Sequence, residues 1–207
     1  MPKTLSPAAT SLREADSVLG RLIDTIGPLS VTPAANRFAD LAGSIVSQQL
    51  SSKAASTIWG RFAALGPVTP EAILELTVEA MRGAGLSGAK VRYVRDLAEK
   101  VRDGDVDLHG LDHLSDDDVI EAITKVKGVG RWTAEMFLIF VLARPDVLAL
   151  DDAGLRRAAG WVLGCEGPAS GDELAVAGER WRPYRSTASL YLWGAIDRGM
   201  VKAEPRS

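Results

Sequence analysis

Two apolar helical stretches meet at Lys127-Gly128-Val129-Gly130-Arg131-Trp132-Thr133-Ala134, and that junction constrains the fold of this chain. Val119, Ile120, Ile123 and Val126 recur at helical spacing before the glycines; Ala134, Phe137, Leu138 and Val141 do so after them. The spacing predicts helices over 116–126 and 131–143, antiparallel and joined by Gly128-Val129-Gly130. Such a turn points the Gly130 and Arg131 amides outward at a helix N-terminus, where unsatisfied N–H groups and the helix dipole suit a phosphate. It also leaves the carbonyls of Thr124, Val126 and Val129 to hold a cation. An ordinary helix–turn–helix connection satisfies the same pattern. A dinucleotide fingerprint does not, because no strand precedes the glycines and the third glycine is missing; the full Walker spacing is missing too.

The rest of the chain reads as helix nearly throughout. Leu12, Ala15, Val18, Leu19, Leu22 and Ile26 predict one helix, stopped by Gly27-Pro28. Phe38 to Val46 predicts a second, running into the polar Ser47-Gln48-Gln49, and Ala54 to Phe62 a third. Pro70 starts another, with Ile73, Leu74 and Leu76 as its apolar face, and Val91 to Val101 continues the series after a loop at Gly83–Gly88. Residues 103–114 read as loop, and Ser115-Asp116-Asp117-Asp118 as a capped helix start. Further helices are expected at 152–163, 171–180 and 184–199. No alternating run of strand length interrupts them, so the fold class is all-α.

Composition narrows the function. The chain has 207 residues and a formal net charge of -3, so any grip on nucleic acid must be local: backbone amides, helix dipoles and a small basic patch. Arg37, Lys53, Lys90, Arg92 and Arg95 are candidates for phosphate contacts, although a solvated helix face explains them equally well. The single Cys165 makes no internal disulfide and no four-thiolate iron–sulfur cluster, and fits a reducing cytoplasm. No apolar run is long enough to span a bilayer, and the N-terminus lacks the apolar region of a signal peptide, so a cytoplasmic protein is expected. His109 and His113 have i, i+4 spacing but lie in the 103–114 loop, which argues against a metal site. Asp116 to Asp118 lack the glycine and glutamate of a calcium loop.

Lys127 to Ala134, followed by Pro145-Asp146-Val147 and Asp151-Asp152, resembles the helix-hairpin-helix DNA glycosylase superfamily. The pattern is most similar to its bacterial inducible 3-methyladenine glycosylase branch, glycosylase II, whose hairpin also reads Gly-x-Gly-Arg-Trp-Thr-Ala. The resemblance extends through Arg180 to Ser186 and Trp193, and back to Ile45-Val46-Ser47-Gln48-Gln49. It implies two helical lobes with a central cleft; this sequence departs from that branch at the front, where no N-terminal β-rich domain is expected. One expected lobe comprises 1–44 and 146–207; the other comprises 45–145 and contains the hairpin.

The resemblance also assigns roles. Asp152 takes the position of the catalytic carboxylate, with helix capping as its competing role, while Asp151 is expected to cap the 152–163 helix or serve as a structural acceptor. Gly128, Gly130, Arg131 and Thr133 would hold DNA. Trp132, Met136 and Trp193 would line a base pocket, although Trp193 fits a core position equally well. Trp181 and Tyr184 read as core aromatics. Gln49 takes the position of a wedge entering the gap left by a flipped base; a helix-terminal polar residue is the alternative.

Bifunctional members carry a lysine where this chain has Trp132, so the expected chemistry is base release without strand cleavage. The expected reaction is excision of alkylated purines from double-stranded DNA by a monomer in the bacterial cytoplasm or nucleoid. No cofactor is required beyond a structural Na+ or K+ at the Thr124, Val126 and Val129 carbonyls. A non-catalytic damage-binding module, or a glycosylase for hypoxanthine, uracil or cyclic adducts, fits the same hairpin.

Overall fold

The computed structural model describes residues 4–201, and every regular element among them is helical. In chain order these are α1 (Pro7–Ala15), α2 (Ser17–Ile26), α3 (Arg37–Ser47), α4 (Ser52–Ala63), α5 (Pro70–Glu75) and α6 (Val78–Gly83). Then come α7 (Gly88–Arg102), a 3₁₀ turn (Gly110–His113), α8 (Asp116–Thr124) and α9 (Arg131–Phe140). The last three are α10 (Ala153–Leu163), α11 (Gly171–Glu179) and α12 (Arg185–Asp197). No helix among the described residues is long and apolar enough to cross a membrane.

Most starts are set by short polar side chains. Ten of the twelve α-helices open on a Ser, Thr, Asp or Asn whose side chain accepts an amide of the first turn. Helices α9 and α12 have no such cap. The capping residue Asp16 breaks the single helix expected from Leu12 to Ile26 into α1 and α2. Its backbone turns extended (φ -141°, ψ 110°), and its Oδ1 accepts the Val18 and Leu19 amides at 3.0 Å. The apolar spacing runs through this break without a step, so periodicity alone does not reveal it. Thr77 likewise starts a separate α6 after Leu76.

Contacts divide the chain into two units. One is Pro33–Leu142; the other joins the segment before Pro33 to the segment after Leu142. The first boundary therefore falls at 32/33, not the expected 44/45, because α3 packs on α4 and α7 as one continuous helix. In the Pro33–Leu142 unit α5 also packs on α7, and α8 on α9, burying Leu41, Ile45, Val94, Leu97, Ile123 and Leu138 completely. In the other unit α2, α10 and α1 pack on α12 around Leu19, Ile23, Leu155, Trp181 and Tyr191. Trp181 is a core aromatic as expected, with its indole N–H donated to Asp16 Oδ2 at 3.1 Å. Tyr184 is only half-buried and marks the start of α12.

Candidate functional site

The hairpin lies in the Pro33–Leu142 unit, between α8 and α9. Gly128 has φ +80°, and a Cβ there would overlap the ring of Tyr93 on α7, so only glycine fits. Gly130 differs: it has an extended backbone (φ -98°), open space where a Cβ would stand, and serves as the uncapped N-cap of α9. The first amides of α9 are thus bonded by no N-cap side chain, and nothing stands within 4 Å of where a Gly130 Cβ would be. Asp96 on α7 fixes the entry to the turn, its side chain accepting the Lys127 amide at 2.9 Å and the Lys127 ammonium at 3.0 Å. Burial raises the Asp96 pKa, but the bonds from Lys127 and the charges of Lys100 and Lys127 outweigh it and hold it below 3.8.

The expected basic contacts sort differently. Arg131 is exposed but bonded to Glu135 at 3.1 Å and near Asp117 at 3.8 Å. Arg37 is held by Asp112 and the Leu108 carbonyl, Arg95 by the Leu74 and Leu76 carbonyls, and Lys90 by the Val46 and Gln48 carbonyls. Internal partners have claimed these three, while Lys53 and Arg92 stay exposed. Thr133 is 6% exposed, so its side chain is mostly withdrawn from the surface.

The expected cation carbonyls belong to the same turn. Val126's carbonyl accepts the Val129 amide at 3.1 Å, so an ion there would share its second lone pair. Neutral oxygens suit a monovalent cation. Among the described residues no group of three or more His, Cys, Asp or Glu side chains could hold a metal ion, and both histidines are exposed.

Beside the hairpin runs an open groove of about 610 Å³. Trp132, Met136 and Phe140, one turn apart on α9, form one wall with Thr133; Gln48, Gln49 and Leu50, between α3 and α4, form the other. Trp132 and Phe140 are 47% and 43% exposed, unusual for large apolar groups. Gln49 is exposed and adopts φ +58°, a left-handed conformation that costs a non-glycine residue about 1 kcal/mol or more. The structure thus gathers Gln49, Trp132, Thr133 and Met136 around one groove. Phe140, which completes the wall, was not singled out from sequence; its i+8 spacing from Trp132 is the signal that could have found it.

Trp193 is not among them. It lies in the other unit, half-buried on α12, and donates its indole N–H to Asp152 Oδ1 at 3.0 Å. Asp152 is the N-cap of α10, its Oδ1 also accepting the Leu155 amide at 2.6 Å. Asp152 is 8% exposed, while Asp151 beside it is exposed and does not cap the helix. Two donors on one oxygen fix the orientation of the Asp152 carboxylate. In the same unit Asp146 binds Arg185 at 2.8 Å and Arg182 at 2.8 Å, and the Ser186 hydroxyl accepts the Val147 amide at 3.0 Å. These ties hold the segment that leads towards Asp152.

An uncapped glycine hairpin, an aromatic-walled groove and a buried, doubly held aspartate occur together in one all-helical chain. The chain belongs to the HhH-GPD superfamily of base excision DNA repair proteins, whose family model matches residues 42–183. It is 32% identical over 198 residues to DNA-3-methyladenine glycosylase 1 of Schizosaccharomyces pombe, covering 92% of this chain and 87% of the relative. A DNA-3-methyladenine glycosidase structure from Bacillus halodurans superposes with a TM-score of 0.82 at 40% identity, covering 92% of this chain and 89% of that one. The S. pombe 3-methyladenine DNA glycosylase in complex with abasic DNA gives 0.83 at 31% identity, covering 93% and 97%.

Proposed function

We propose that this protein is a monofunctional DNA glycosylase that removes alkylated purines, of the 3-methyladenine and 7-methylguanine type, from double-stranded DNA in base excision repair. The observation that carries this reading is the buried Asp152 carboxylate, held by the Leu155 amide and the Trp193 indole in a chain similar to glycosylases of alkylated bases. As the N-glycosidic bond breaks, positive charge develops on the sugar, and a fixed carboxylate stabilises it. The alkylated base is a cation before cleavage, so it takes the bonding electrons and leaves neutral without needing a proton. Water then adds to the anomeric carbon, and its proton passes to the carboxylate or to solvent.

Binding is divided among the other parts. The amides at Gly130 and Arg131 take a phosphate, Gly128 makes the turn, and Gln49 enters the duplex when the nucleotide flips. The flat, uncharged wall of Trp132 and Met136 meets the cationic base; a ring face contributes about 0.5–2 kcal/mol to such a contact. Trp132 stands where a Schiff-base lysine would be needed, so an abasic site is left and the strand stays intact. The protein acts as a monomer, in the compartment that holds the chromosome.

The test is base release from methylated duplex DNA by wild type and Asp152→Asn, read with alkali cleavage of the DNA product. Asn caps helices as well as Asp, so the variant isolates the charge from the capping role. Loss of release with DNA binding retained supports the reading. Wild-type release by the variant, or a wild-type protein that binds but leaves no alkali-sensitive sites, refutes it.

A further inference from the structure

Lys90 is a half-buried lysine at the start of α7 whose ammonium sits between two carbonyls, Val46 O at 2.6 Å and Gln48 O at 2.7 Å. These carbonyls close α3 and lead directly into Gln49, the residue with φ +58°. On the other side of the turn, the Gln48 side chain donates to the Gly128 carbonyl of the hairpin at 2.9 Å. Gln49 is therefore bracketed: a cation grips the backbone before it, and a side-chain amide ties its neighbour to the DNA-holding turn. The same face of α7 holds the hairpin itself, because Tyr93 packs on Gly128 and Asp96 binds Lys127. Lys90, Tyr93 and Asp96 are three residues apart in turn, so one rigid helix meets both the Gln49 turn and the hairpin.

We propose that Lys90 is a positioning residue for Gln49: its ammonium holds the left-handed turn in which Gln49 projects into the groove, at a spacing from the hairpin set by α7. This rests on the wedge role given to Gln49 above. A lysine near a helix C-terminus often only bonds the last carbonyls. Here, however, it stabilises a backbone conformation that a non-glycine residue disfavours, and it does so at the groove wall. Burial pulls its pKa below the ordinary 10.5, the cost of withdrawing this ammonium from water where it cannot meet a phosphate freely.

The experiment is a double-mutant cycle between Lys90→Met and Gln49→Ala, read by single-turnover release of a methylated base and by 2-aminopurine fluorescence beside the lesion. Lys90→Met should slow release and base flipping about tenfold in the wild-type background and less than about twofold in Gln49→Ala. Gln48→Ala, which cuts the tie to Gly128 from the exposed side, should show the same dependence on Gln49 and keeps the test available if Lys90→Met does not fold. The dependence of DNA binding on salt should keep its slope, since no phosphate contact is lost. Equal losses in both backgrounds overturn the proposal, as does a salt slope smaller by about one, the mark of a phosphate contact. Slow Gln49→Ala with wild-type Lys90→Met and Gln48→Ala overturns the clamp alone. Wild-type release by Gln49→Ala overturns the wedge reading and the proposal with it.

Discussion

The indole N–H of Trp193 and the backbone N–H of Leu155 converge on the same oxygen of Asp152, at 3.0 and 2.6 Å. The two donors do different work. Leu155 belongs to the helix start and persists with any capping side chain, whereas Trp193 comes from α12 and adds a bond only a charged or polar partner can use. Trp193→Phe keeps the ring and removes that bond. It should lower the rate of base release about tenfold while KM stays near wild type, and cost about 1 kcal/mol of stability. Steady-state kinetics on methylated DNA and urea unfolding would check both halves. An unchanged rate would show that the indole fills space and does not orient the acid.

Gln49 should show the opposite balance between stability and activity. Glycine adopts φ +58° without strain, so Gln49→Gly should leave the protein as stable as wild type or more so, by up to about 1 kcal/mol. Its greater freedom in the unfolded chain offsets part of that gain. Release from duplex DNA should nevertheless fall, while release from a single-stranded methylated oligonucleotide, where no stack needs filling, should fall less. Similar losses on both substrates would argue against a wedge.

Much of this molecule was legible from residue order, and the exceptions share a cause. Helical spacing and caps located most elements because those signals are local, and the hairpin and Asp152 were visible as motifs. The break at Asp16 was hidden because Ala15, Val18 and Leu19 stay in phase across it, and its second oxygen is held from far along the chain, by Trp181 and Arg180. Lys90 read as a surface cation because its carbonyl partners carry no sequence signature. Trp193 stood between pocket and core, and its bond to Asp152 was not legible, since a hydrogen bond across 41 residues leaves no periodicity. The α3 boundary was misplaced because helix continuity, not motif position, decides which unit a segment joins.

The two hairpin glycines should respond differently to a methyl group. Gly128→Ala must relieve both a positive φ and a clash with Tyr93, and should destabilise the Pro33–Leu142 unit by about 2 kcal/mol or more. Gly130→Ala meets open space and extended backbone, so its stability should stay within about 1 kcal/mol of wild type. If the α9 amides take a phosphate as proposed, the methyl group would crowd that contact, so DNA affinity should fall several-fold. Thermal unfolding alongside fluorescence-anisotropy titration with duplex DNA separates the two effects.

Acid should loosen the protein through carboxylates that folding has made more acidic. Asp96, Asp16 and Asp146 all sit below the ordinary 3.8. In each, burial works the other way and is outweighed: by Lys127 and Lys100 at Asp96, by the Leu19 and Val18 amides, Trp181 and Arg180 at Asp16, and by Arg185 and Arg182 at Asp146. A carboxyl whose folded pKa lies below its unfolded one binds fewer protons when folded, so its contribution is complete above the unfolded pKa of about 3.9. That contribution disappears as pH falls through the folded value. Asp96→Asn should therefore be less stable than wild type at pH 7, by about 1.5–3 kcal/mol for lost charge-assisted bonds at a buried site. The gap should narrow below about pH 4, as wild type becomes protonated and the variant, with nothing to titrate there, does not follow. Urea midpoints at pH 7, 5, 4 and 3 would trace this, and a gap that stayed constant down to pH 3 would show that Asp96 holds Lys127 without its charge.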